Sequence, residues 1–300
     1  MEKEREMQLV REGELPIGFI DSGLGGISVL KEAVKLMPEE NFIYYGDSLH
    51  APYGVRPTQE IKELTYAVVE KLLAMGIKGL AVACNTATSA AVRSLRLDYP
   101  ELPIVGIEPA VKPAVEASHG GRILVMATPM TIQQEKFHKL LERYQDQAEI
   151  IPVPCEGLME FVEKGDLESD FLNQYFSKVL LPFVTSDTET IVLGCTHYPF
   201  LRPHLRDFLN RTVQCGQEGN AARGLSHIDL IDGSFGTARE LRRRLAVKGL
   251  LRGQEGAKEA GNRCMTENDC GRNLHITFLN SMPGKEMIER SWKLLDLPID

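Results

Sequence analysis

The chain has 300 residues, 43% hydrophobic and 25% charged, enough for one large soluble domain or two modest ones with a real core. A formal net charge of -8 argues against phosphate-backbone binding, and no apolar run is long enough to span a bilayer, so neither nucleic acid nor membrane is expected as a partner. The N-terminus lacks the apolar middle of a secretory signal, so a cytoplasmic, reducing setting is expected, with the 6 cysteines mostly thiols.

Residues 1–14 are charged and mixed in sign and read as a solvated tail. Ile17-Gly18-Phe19-Ile20 is a short apolar strand that stops at Asp21-Ser22-Gly23-Leu24-Gly25-Gly26. Ile27, Leu30, Val34 and Met37 then share one helical face, and Pro38 ends it. Phe42-Ile43-Tyr44-Tyr45 is the next strand, followed by a loop of turn formers from Leu49 to Pro57. Thr58 is expected to cap a long helix that Gly76 terminates. Leu80-Ala81-Val82-Ala83 runs into Cys84-Asn85-Thr86, with a helix expected around Thr88 to Leu97.

After the strand Pro103 to Ile107 the pattern restarts. Ile123 to Ala127 and Ile150 to Val153 read as strands, with helices between and after them. Ile191-Val192-Leu193-Gly194 runs into Cys195-Thr196-His197-Tyr198-Pro199, so the first half's strand-to-cysteine grammar recurs. Ile228 to Ile231 and Ile276 to Leu279 are further strands, each followed by a helix. The stretch 252–274, rich in Gly, Glu, Lys and Asn, reads as a mobile insertion. Strands alternating with helices predict mainly parallel sheets flanked by helices. The restart predicts two similar α/β domains, residues 15–108 plus 218–300 and residues 109–217, with the active site in the cleft between them.

Open α/β sheets bind ligands at the carboxyl ends of their strands, which is where Cys84 and Cys195 fall. Most free cysteines are merely small buried hydrophobes. Here each sits past the apolar run, beside groups that hydrogen-bond. His197 is a natural proton-transfer partner for Cys195. Asp21 is a cross-strand candidate beside Cys84; as a carboxylate it raises the thiol's pKa, so its sensible role is to accept or relay a proton. The glycine-rich turn after Ser22 either cradles a phosphate, although it lacks the full dinucleotide spacing, or permits a sharp turn that presents Asp21 and Ser22. No metal site is expected: none of the cysteines form a close pair, and the Cys264 to Cys270 spacing is wrong for a zinc module. Cys155 and Cys215 read as packing or surface thiols, and His50 as a loop residue without a role. Two thiols on opposite walls suit racemisation, in which a proton leaves one face of a carbon and another arrives on the opposite face.

Five stretches together resemble the glutamate racemases. They are Ile17 to Gly26, Tyr45-Gly46-Asp47-Ser48 with Pro52-Tyr53-Gly54, Ala83-Cys84-Asn85-Thr86-Ala87, Leu193 to Pro199, and Asp232-Gly233 with Thr237-Ala238-Arg239. The resemblance implies cofactor-independent interconversion of L- and D-glutamate, supplying D-glutamate for peptidoglycan. It assigns Cys84 to the D-enantiomer with help from Asp21, and Cys195 to the L-enantiomer with help from His197. It places substrate contacts at Asp21, Ser22, Tyr53, Gly54, Asn85, Thr86, Thr196 and His197, and an auxiliary acid near Glu163. Many members are dimers, so a homodimer is expected. Aspartate racemase, or another amino-acid racemase of the same family, is the near alternative. A non-catalytic small-ligand or nucleotide-binding protein is the distant one.

Overall fold

The computed structural model describes residues 12–215, 228–252 and 275–299. Most of the 1–14 tail, nearly all of the 252–274 insertion, and Cys264 and Cys270 lie outside the described residues. The first sheet contains β1 (Ile17–Asp21), β2 (Phe42–Gly46), β3 (Gly79–Val82), β4 (Ile104–Gly106) and β9 (Ile276–Asn280). Its order is β4-β3-β1-β2-β9 and all its pairings are parallel. The second sheet contains β5 (Arg122–Ala127), β6 (Glu149–Pro154), β7 (Thr188–Leu193) and β8 (Asp229–Asp232), in the order β6-β5-β7-β8 and again parallel.

The two orders superimpose strand for strand: β1 with β5, β2 with β6, β3 with β7 and β4 with β8, leaving β9 as an addition to the first sheet. Each sheet therefore reverses direction between its first and third strands. That is the switch point at which parallel sheets open a crevice for ligands. The expected two-sheet α/β architecture is what the chain adopts.

The boundary expected at 217/218 differs from this pairing. It assigned the strand around Ile228 to Ile231 to the first half, yet β8 pairs with β7 in the second sheet. Strand partners are chosen over long sequence separations, and nothing local in a four-residue strand names them. The following helix, α10 (Ser234–Val247), returns to pack on α1 (Ile27–Leu36) of the first half.

Local chemistry explains most of the elements near the cleft. β1, β2 and β3 are buried along their whole length, as strands covered on both faces must be. The long helix α2 (Thr58–Ala74) ends before Gly76, which takes the left-handed φ of +76°. Thr58 is its first helical residue and Pro57 holds the cap position, one residue earlier than expected. Helix α3 (Asn85–Asp98) starts three residues before the expected Thr88, with Cys84 itself as the cap. One apolar cluster runs from Phe19, Leu24 and Ile27 in the first half to Leu158, Val162 and Tyr198 in the second. The two halves thus share a core behind the cleft.

Candidate active site

Cys84 follows β3 and Cys195 follows β7, the equivalent strands of the two sheets. Both line one small cavity between the halves. Its wall also includes Ser22, Tyr53, Gly54, Asn85, Thr86, Thr196 and His197, all singled out in the sequence. It holds only about 20 Å³, room for about one water molecule.

The surroundings of the two thiols differ. Cys84 is buried, its extended backbone placing Sγ over the first turn of α3, where it accepts the Ala87 N–H at 3.5 Å. Its S–H points to Ser22 Oγ at 3.6 Å. Burial, reinforced by the Asp21 carboxylate, pushes this thiol up to about 12, against the pull of the Ala87 and Ser22 hydrogen bonds. Cys84 is therefore a thiol at neutral pH.

Cys195 is only partly buried and lies 3.6 Å from His197 Nδ1. The other ring nitrogen, Nε2, lies 2.7 Å from Glu163 Oε1 on α7 (Leu158–Lys164). Burial opposes a charge on His197. The hydrogen bonds to Cys195 and Glu163 outweigh it and hold the ring's pKa well above the usual imidazole range. Glu163 is desolvated too, but its bond to His197, the Leu24 N–H at 2.8 Å and the charge of Arg290 keep it below the usual carboxylate range. A doubly protonated imidazole has donors for both neighbours at once. Cys195, His197 and Glu163 stand in a row, the imidazole bridging sulfur and carboxylate.

The glycine-rich turn has a spatial reason to be glycine. None of Gly23, Gly25 and Gly26 has a positive φ among the described residues. A Cβ on Gly23 would fall 2.1 Å from Glu163 Oε1, and one on Gly25 would fall 2.3 Å from His197 Nδ1 and 2.6 Å from Thr196 Oγ1. The turn is the surface on which the second half's ionised side chains rest. Tyr44 pins it by donating to the Gly23 carbonyl at 2.8 Å.

Asp21 does not line the cavity. It lies fully buried behind it, with Oδ2 accepting the Gly23 N–H at 3.1 Å and Oδ1 without a hydrogen-bond partner. Asn85 Oδ1 is likewise buried and unpartnered. Tyr53 donates to Asp47 Oδ2 at 2.7 Å, and His50 Nδ1 contacts Asp47 Oδ1 at 2.9 Å. His50, read as a loop residue without a role, thus supports the residue that orients Tyr53. Cys155 is buried, its S–H meeting the Val153 carbonyl at 3.4 Å, which is a packing role.

Thr128, Thr131 and Met159 also line the cavity and were not anticipated. Thr128 ends β5 as Ser22 ends β1, so pairing the two repeats strand by strand would have found it. It caps α5 (Pro129–Gln133) by accepting the Thr131 N–H at 3.3 Å. Among the described residues no group of three or more side chains has the makings of a metal site.

The family model described as Asp/Glu/Hydantoin racemase matches residues 17–218. This chain belongs to that racemase family. Within it the racemase groups with glutamate racemases. That of Clostridium perfringens is 43% identical over 282 residues, which span 94% of this chain and 96% of the relative. That of Clostridium botulinum is 44% identical over 94% of this chain and 97% of its own. Among solved structures, glutamate racemase isoform RacE1 from Bacillus anthracis superimposes with a TM-score of 0.73 at 28% identity, covering 94% of each chain. The matched span includes both cysteine strands and the glycine-rich turn. The isomerase fold expected from the sequence is thereby established.

Proposed function

We propose that this racemase interconverts L- and D-glutamate without a cofactor, using Cys195 and Cys84 as bases on opposite faces of Cα. The observation that carries the reading is the pair of thiols at equivalent strand ends in one cavity, Cys84 beside Ser22 and Cys195 beside the His197–Glu163 pair. In the L to D direction the Cys195 thiolate takes the Cα proton, breaking the C–H bond and leaving its electron pair on the substrate. The Cys84 thiol delivers its own proton to the other face, forming the new C–H bond and becoming a thiolate. In the reverse direction the roles exchange. His197, held by Glu163, stabilises the Cys195 thiolate. Asp21 sits where it can take up or return the proton that resets Cys84.

Substrate positioning falls to the polar wall. The N-terminus of α3, where Asn85 and Thr86 expose backbone N–H groups, suits the α-carboxylate and the charge that develops on it during proton removal. The unpartnered Asn85 Oδ1 suits the ammonium group. Ser22, Tyr53, Gly54, Thr196 and His197 complete the contacts. The relatives' names support glutamate as the substrate. The product would feed peptidoglycan synthesis in the cytoplasm, and the functional unit would be a homodimer.

Polarimetry with L-glutamate and L-aspartate side by side tests the reading. Rotation should decay to zero with glutamate and persist with aspartate. Decay with aspartate alone would assign the other substrate, and persistence with both would refute racemisation of either. Rescue of a bacterial strain that requires D-glutamate tests the cell-wall role, and sedimentation tests the dimer.

A further inference from the structure

Beside the small cavity holding the cysteines lies a second cleft of about 340 Å³. The two share Asn85 and Thr131 as a common wall. Asn85 opens α3 of the first half and Thr131 lies on α5 of the second. Each half therefore contributes one side of that wall.

The chain carries a net charge of -8, which repels a dicarboxylate. The rim of this cleft carries Lys136, Lys139 and Arg143. Lys136 pairs with Glu108 at 2.6 Å and Lys139 with Glu135 at 2.6 Å. Arg143 has no carboxylate partner among the described residues, so the rim keeps a cationic surplus. Gln134 also lines the cleft, and its buried Oε1 has no partner, like Asn85 Oδ1 on the shared wall. Unpaired buried acceptors are rare in folded proteins and mark places where a donor is to be received. Two such acceptors beneath a cationic rim match a ligand with an ammonium group and more than one carboxylate.

We infer that this cleft is the vestibule of the racemase: a capture site for a dicarboxylic amino acid on its way to the cysteines, with Asn85 and Thr131 as its inner wall. The inference rests on the glutamate reading and adds a route and a second set of substrate contacts to it. Both enantiomers use the same passage; because racemisation has an equilibrium constant of one, any variant changes kcat/KM equally in the two directions.

Ser89 lies on the vestibule wall one helical turn beyond Asn85, so Ser89→Trp plugs the passage without touching the cysteines. It should lower kcat/KM for both enantiomers equally, by about tenfold or more, with the melting temperature retained. Arg143→Glu and Lys139→Glu should lower kcat/KM about tenfold, mainly through KM, and flatten its fall with added salt. Arg243→Glu, exposed on α10 and away from the cleft, controls for net charge and should leave both quantities unchanged. If the plug fails to fold, the two charge reversals decide. Folded variants with the salt dependence and kcat/KM of the control would overturn the vestibule while leaving the racemase reading intact. A wild-type chain that does not turn over glutamate would overturn both.

Discussion

Glu163 Oε1 lies 2.7 Å from His197 Nε2, and the same oxygen accepts the Leu24 N–H of the opposite half at 2.8 Å. One carboxylate oxygen thus joins the two halves and holds the imidazole that faces Cys195. Arg290, on α11 (Glu286–Asp296), donates to the Glu163 main-chain carbonyl and steadies the helix that carries it. The contact between the halves and the orientation of the imidazole therefore depend on the same side chain.

Replacing that carboxylate separates charge from shape. Glu163→Gln keeps the reach to His197 and removes the negative charge that raises the ring's pKa. The imidazolium that faces Cys195 then gives up its proton at lower pH. The alkaline limb of the kcat/KM profile should move down by about one unit or more, with turnover near neutrality down by about a hundredfold. A profile that superimposes on the wild type's would show that Glu163 is only structural.

A methyl group on the glycine-rich turn tests the same contact from the other side. Gly25→Ala would place a Cβ 2.3 Å from His197 Nδ1, so either the ring leaves Cys195 or the halves stay apart. Overpacking of this kind costs about 1–3 kcal/mol. The loss of activity should exceed what the modest fall in melting temperature suggests, because the contact belongs to the closed cleft. Gly236→Ala on α10 is the control: its Cβ would meet no atom within 4 Å. Equal activity in Gly25→Ala and the wild type would remove the steric argument.

Much of this was legible in the sequence, and the reasons are local. β1, β3, β5 and β7 announce themselves as apolar runs that stop at polar residues, and two of them stop at a cysteine. Interactions that span the two halves were less legible. The glycines after Ser22 read equally as a phosphate cradle or a sharp turn, because the side chains that need their space come from residues 163, 196 and 197. Helix α3 was expected late because Asn85, Thr86 and Thr88 are poor helix formers and cysteine is not among the favoured caps. β8 was assigned to the wrong half because a short strand carries no label for its partner.

Removing one thiol at a time should separate proton removal from inversion. Cys84→Ala retains Cys195 and its imidazolium, so L-glutamate can still lose its Cα proton and regain one on the same face. In deuterated water this variant should wash deuterium into L-glutamate while forming no D-glutamate. Cys195→Ala should do the same to D-glutamate alone, and more slowly, because Cys84 lies as high as about 12. Proton magnetic resonance of the Cα signal with chiral chromatography measures both. Substantial racemisation by either variant would sink the two-base scheme.

Asp21 connects catalysis to stability through pH. Burial lifts its pKa above the ordinary carboxylate value, and the Glu163 charge adds to this, while His197 and the Gly26 and Gly23 N–H groups oppose it without cancelling it. A carboxyl raised in the folded state binds its proton more tightly there than in the unfolded chain. Stability therefore falls as pH rises from the unfolded value of 3.8 through the folded one. Asp21→Asn removes that titration. Its melting temperature should gain on the wild type's as pH is raised from about 4 to about 8, while racemisation falls by about a hundredfold. A constant difference between the two melting curves across that range would mean that Asp21 does not titrate as a buried, strained carboxyl.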